Sequence, residues 1–275
     1  MGHRMQQSEP PEGAWRPANP TAGPAGPRRA WRGLSPIFLG LLVLAIGSGW
    51  TLWAGIGSPG ILAFLFIAAG WVISLCLHEF AHALVAYRYG DLAVVHRGYL
   101  TLDPLRYTHV VYSLILPLVF VLLGGIGLPG GAVFIDRRAL RSRFASTAVS
   151  AAGPLTNIVL AIGLALALAT RGFDHADFWS AIAFLLFLQV TAAVLNVLPV
   201  PGLDGFGIIE PYLPRRWLTR AARVSPYAIL ILFALLWIPV INQGFFTVII
   251  DIATFLGVPA GLIGSGYQLF RFWLG

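Results

Sequence analysis

Three residues within one short stretch, SLCLHEFAHALVAYRYG, carry the first chemistry of the chain: His78, Glu79 and His82, in the order H-E-x-x-H. Residues four apart on a helix stack on one face, so the two imidazoles can bind one zinc ion. Glu79, next to the first, can take a proton from a water that the metal has acidified. Two ligands do not make a catalytic site. Zinc centres of this kind use three protein ligands and keep a fourth place for water, whose pKa falls to about 7. A third donor is offered by NVLPVPGLDG, where Asn196, Pro199, Asp204 and Gly205 follow one another as apolar helix gives way to a broken loop. Taken alone, Asp204 reads as a cap or a solvated turn residue; beside H-E-x-x-H it becomes a candidate ligand. With six His and four Glu in the chain, the expected number of chance H-E-x-x-H matches is on the order of a few per thousand.

The elements that must hold these residues are membrane helices. The 275 residues are 57% hydrophobic and 11% charged, with a mean hydropathy of +0.79, against roughly 25% charged residues in ordinary soluble domains. A spanning helix needs about 20 mostly apolar residues, and such runs occur at 35–54, 61–88, 144–170, 178–198, 226–241 and 244–262. The expected fold is therefore an all-α integral membrane protein of about six transmembrane helices. A further apolar stretch at 110–128 ends in GGIGLPGG and reads as a re-entrant hairpin. Residues 1–33, rich in Pro, Gly, Ala and Arg, read as a disordered cytoplasmic tail, and 34–275 as one membrane domain. H-E-x-x-H falls inside the second span. Charged side chains at that depth cost roughly 2.5–3.5 kcal/mol each, which metal binding would offset.

All the positive charge is arginine, and the net charge is +7. The arginines cluster beside apolar runs without interleaved aromatics, which argues against nucleic acid. With the N-terminus inside, Arg88, Arg97, Arg106, Arg137, Arg138, Arg141, Arg143, Arg215, Arg216, Arg220, Arg223 and Arg271 share one side, leaving only Arg171 opposite. Both termini are then expected to be cytoplasmic. The single cysteine, Cys76, excludes an intrachain disulfide.

The two motifs together resemble the site-2 proteases, intramembrane zinc metalloproteases with H-E-x-x-H on one helix and N-x-x-P-x-x-x-x-D-G on a later segment. The stretch SAAGPLTNIVLA at 150–161 is similar to that family's intervening G-P-x-x-N element. On residues alone, Gly153 and Pro154 read as a helix start or kink. The resemblance covers about 61–210. It implies one zinc ion held by His78, His82 and Asp204, Glu79 as general base and acid, and Asn196 positioning substrate or the developing oxyanion. It also implies that the H-E-x-x-H and D-G helices run in the same direction with one span between them. The implied substrate is another protein's transmembrane helix, such as that of a membrane-tethered regulator of the anti-sigma type, cut in the bacterial cytoplasmic membrane. Residues 89–109 are similar to a subgroup element T-L-N-P-L-x-H-x-D-P, but Asp103, Tyr107 and His109 replace its Asn, His and Asp.

Overall fold

The computed structural model describes residues 33–106, 135–172 and 174–274. The hairpin expected at 110–128, with Tyr107 and His109, and most of the N-terminal tail lie outside these residues. Among them there is no strand, and nine helices can be labelled in chain order. They are α1 (Pro36–Trp53), α2 (Pro59–Arg88), the single turn α3 (Ala93–His96), α4 (Arg143–Ala169), α5 (Ala176–Val197), the short α6 (Asp204–Ile209), α7 (Arg215–Leu236), α8 (Pro239–Phe255) and α9 (Ala260–Phe270). The protein is an all-α membrane protein: five of these helices are long and apolar enough to cross a bilayer, or six if the bent pair α8–α9 is one span.

Helix starts follow local chemistry. Proline stands at the first position of α1, α2 and α8, where its missing N–H is not needed. The hydroxyls of Ser35 and Ser142 accept from the N–H groups of Ile37 and Ala145 at 3.2 and 3.1 Å, capping α1 and α4. The first four long helices agree with the hydropathy runs to within two residues. The fifth does not. α7 begins at Arg215, because Arg215, Arg216, Arg220 and Arg223 are good helix formers that extend the helix while interrupting the apolar run. The stretch read as 244–262 is also not one straight helix: Gly257, at φ +83°, and Pro259 break it, and α8 and α9 meet at 116°.

α5 is the axis of the bundle and is buried without interruption from Trp179 to Ala193. α2 and α4 pack on it, while α1 and α7 show apolar side chains such as Val43, Ile46 and Leu230 outward, as lipid contact allows. Cross-helix contacts give the directions. His78 and His82 meet Asn157 and Val149 of α4 in reverse order, so α2 and α4 are antiparallel. Asn157 meets Gln189 of α5, and Thr147 meets Ile208 just beyond the other end of α5, so α4 and α5 are antiparallel as well. α2 and α5 therefore run in the same direction with one helix between them.

The chain between α2 and α4 leaves and returns at one end of the bundle, and a buried carboxylate ties the two ends together. Asp91 is 1% exposed; one of its oxygens accepts from Ala93 N–H at 2.9 Å and the other from Asp136 N–H at 2.8 Å. The C-terminal turn departs from expectation. Phe272 packs on Gly60, and the rings of Phe270 and Trp273 lie on Phe64, at the start of α2. Gly60 is about 27 Å along α2 from His78, whereas the start of α1 is bonded to Thr101, next to the far end of α2. Arg271 thus sits at the opposite end of the bundle from Arg88. The bend between α8 and α9 is the physical reason, since the last apolar stretch does not make one straight crossing.

Asp91→Ala removes the charged acceptor of two partly buried N–H bonds, each contributing at most about 1.5–3 kcal/mol. Thermal unfolding in detergent should shift down in D91A and less in D91N, which keeps one acceptor oxygen.

Candidate metal centre

The H-E-x-x-H segment lies in the last third of α2, and the helix does what the spacing requires. His78, Glu79 and His82 are 4%, 3% and 6% exposed, and ligand atoms of all three lie within 4.8 Å of one another. The Nε2 atoms of His78 and His82 are 3.1 Å apart. Asp204, the first residue of α6, brings Oδ2 to 3.2 Å from His78 Nε2 and Oδ1 to 3.3 Å from His82 Nε2.

The residues before and after Asp204 explain how it arrives there. Pro199 and Pro201 lack the N–H groups that would continue α5, and Gly202 turns the chain at φ +100°. Gly205 then seats α6 on the end of α5 so closely that a Cβ would collide with the Val197 carbonyl. Side chains also pin this segment to α4. Arg137 reaches Glu210 Oε2 at 3.1 Å, Ser146 Oγ at 2.7 Å and Ser150 Oγ at 3.2 Å, and Thr147 Oγ1 donates to the Ile208 carbonyl at 2.9 Å. Burial pushes the Asp204 carboxyl up, but His82 and His78 beside it outweigh that and hold it well below the usual carboxylate range.

The donors form a triangle of two Nε2 atoms, 3.1 Å apart, and one carboxylate that turns Oδ2 to His78 at 3.2 Å and Oδ1 to His82 at 3.3 Å, and these spacings can be tested against zinc. A tetrahedral ion with N and O ligands at about 2.0–2.1 Å has ligand–ligand edges of about 3.3–3.4 Å. Each of these spacings lies within a few tenths of an ångström of such an edge. Its histidines are also prepared for the task. His82 Nδ1 is 2.6 Å from the Val149 carbonyl, which can only accept, so this nitrogen carries a proton, and in the neutral ring Nε2 is then the atom with a lone pair to offer a metal. His78 Nδ1 stands 2.6 Å from Asn157 Oδ1, whose amide nitrogen in turn donates to Gln189 Oε1 at 2.8 Å.

Gly153 is not at a helix start. It lies well inside α4, where a Cβ would fall on the Nε2 atoms of both histidines. Its missing side chain is what lets α4 come close enough for Val149 and Asn157 to reach the rings. Asn196 is buried on the last turn of α5, beside the Val197 carbonyl that Gly205 packs against; it is not part of the donor triangle. Asp103 caps Leu105 N–H and pairs with Arg106 at 3.2 Å, apart from the centre, and Asp251 is exposed on α8. Sequence reasoning gave no role to Asn157, Gln189, Arg137 or the Val149 carbonyl. Only Asn157 had a signal, its place in G-P-x-x-N.

No family model and no solved structure matches the chain. Curated proteins do. The chain is 46% identical over 245 residues to the protein named "Putative zinc metalloprotease Rip2" in Mycolicibacterium smegmatis, covering 87% of this chain and 94% of the relative. The protein of that name in Mycobacterium tuberculosis H37Rv shares 46% over the same extent. "Putative zinc metalloprotease YwhC" of Bacillus subtilis is 32% identical over 197 residues, 63% of this chain and 84% of its own length.

A methyl group at position 153 would occupy the space where the two ring nitrogens converge. Gly153→Ala should therefore abolish zinc retention, measured by elemental analysis of the purified protein. A G153A protein with full zinc would show that α4 does not press on the histidines as described.

Proposed function

The chain belongs to the site-2 protease family and is a zinc metalloprotease, and from that premise we propose that it cuts peptide bonds within or beside the transmembrane helices of other proteins. The observation that carries the reading is the donor triangle of His78, His82 and Asp204 with Glu79 alongside, buried in a bundle of membrane-length helices. In this reading those three side chains hold one zinc ion, and zinc, when bound, supplies an acidified water and polarisation of the scissile carbonyl. Glu79 takes the proton of the attacking water and returns it to the leaving amine nitrogen. Asn196, one residue from the wall on which α6 sits, donates to the substrate backbone or the developing oxyanion.

A substrate helix has its amides already bonded and shielded, so it must unwind to an extended strand before Glu79 and the metal can act on it. The cut falls toward the arginine-rich end of the bundle, where α2 ends and α6 lies. The positive-inside rule makes that end cytoplasmic, with the N-terminus on the same side. The favoured substrate class is a membrane-tethered regulator of the anti-sigma type.

Co-expression of single-span candidate substrates with wild type and Glu79→Gln tests this. E79Q should retain zinc and lose cleavage by at least about a hundredfold. Chelator treatment should silence the wild type, and added zinc should restore it. Cleavage that survives unchanged in E79Q would remove Glu79 from its role. Cysteine labelling at the exposed positions 92 and 138 should proceed from the cytoplasmic side; labelling from the outside would reverse the orientation.

A further inference from the structure

His78, Asn157 and Gln189 form a polar line across α2, α4 and α5, each 4% exposed or less. We infer that Gln189, which belongs to none of the motifs, is a positioning residue for the metal centre. Its oxygen sets which way the Asn157 amide faces, and through it which nitrogen of His78 carries the proton. The inference rests on His78 being a zinc ligand.

A ligand Nε2 must present its lone pair, so the proton of neutral His78 sits on Nδ1 and is donated to Asn157 Oδ1 at 2.6 Å. Asn157 has two nearly isosteric ends. Inverted, it would offer N–H to His78 Nδ1, which could meet it only by accepting; the proton would move to Nε2, and His78 would leave the ligand set. All three side chains are buried, so bulk solvent does not equalise the two orientations. What decides is the neighbour of the amide nitrogen, and that neighbour is Gln189 Oε1 at 2.8 Å. The other polar groups of the buried α5 run do not reach for α4 in this way; the Thr191 hydroxyl, for example, returns to the Phe187 carbonyl of its own helix at 2.7 Å. A glutamine in the middle of an apolar span, with its acceptor aimed at the second partner of a metal-binding histidine, is costly unless that bond is needed.

The test is a double-mutant cycle on the full chain in detergent, with zinc affinity read by competition against a chelating indicator. Gln189→Met should weaken zinc binding roughly tenfold, the lower end for loss of an outer partner of a metal ligand. Asn157→Asp presents acceptors from both ends and cannot be inverted. Adding Q189M to N157D should therefore cost nothing further, and the zinc-induced rise in unfolding temperature, reduced in Q189M, should be restored in the double variant. An equal loss from Q189M in both backgrounds would mean that Gln189 only packs, and would overturn the inference. So would wild-type affinity in Q189M, leaving the metal reading intact. Wild-type protein that takes up no zinc would overturn the metal reading and the inference with it.

Discussion

His78 and His82 bring four ring nitrogens into a region of the bundle with little access to water, and a buried polar group without a partner costs about 1–3 kcal/mol. Two of the four are met by α4: His82 Nδ1 by the Val149 carbonyl and His78 Nδ1 by Asn157. Those two bonds require α4 to approach α2 closely along its length, and only a residue without a side chain permits this at the crossing, where Gly153 lies against both rings. The other two nitrogens then converge, 3.1 Å apart, with Asp204 facing both. With both Nδ1 atoms held by acceptors, the two Nε2 atoms and the facing carboxylate form an arrangement suited to a divalent cation.

The same constraint governs the chain beyond α5. Asp204 must reach two nitrogens on a helix that is separated from it by about 120 residues of sequence. Prolines end α5, a glycine reverses the chain, a second glycine allows backbone contact with Val197, and Arg137 with Glu210 and the two serines ties the returning segment to α4. The ion pair itself is half-exposed and contributes little on its own. Its value lies in geometry, because it acts with the Thr147–Ile208 bond to limit how far α6 can drift from the histidines.

Much of this was legible in the residues. The chemistry of His78, Glu79 and His82 follows from spacing, and four of the long helices follow from apolar length. Asp204 is reached by a motif whose prolines and glycines have local tasks that can be stated one at a time. What was not legible shares a cause: it depends on distances between helices. The Val149 acceptor is a backbone group with no side-chain signature. Gln189 sits in an apolar run like any isolated polar residue, and Gly153 reads as a kink until α2 is laid against it. α7 and the α8–α9 bend escaped a hydropathy reading because arginines conceal helix length and a broken span keeps its apolar composition.

The exposure of the three ligand candidates adds a direction to the centre. The histidine side chains are 5% and 7% exposed and Asp204 is 23% exposed. A hydrolytic metal site needs one open coordination position, reached by both water and substrate. On the α4 side that approach is closed at Gly153, where not even a Cβ would clear the two Nε2 atoms. Among the described residues, the opening is therefore on the α6 side, past Asp204. That side is also where the chain is least regular: the 198–203 turn, the single-turn elements near 210–212 and the segment at 135–142 that carries Arg137. Irregular backbone at this depth is tolerated where it is buried in protein or lines a wetted cavity. The segment that holds Asp204 in place thus also borders the more exposed side of the centre, so the tightness of the α6 clamp bears on the geometry of the centre and on access to it together.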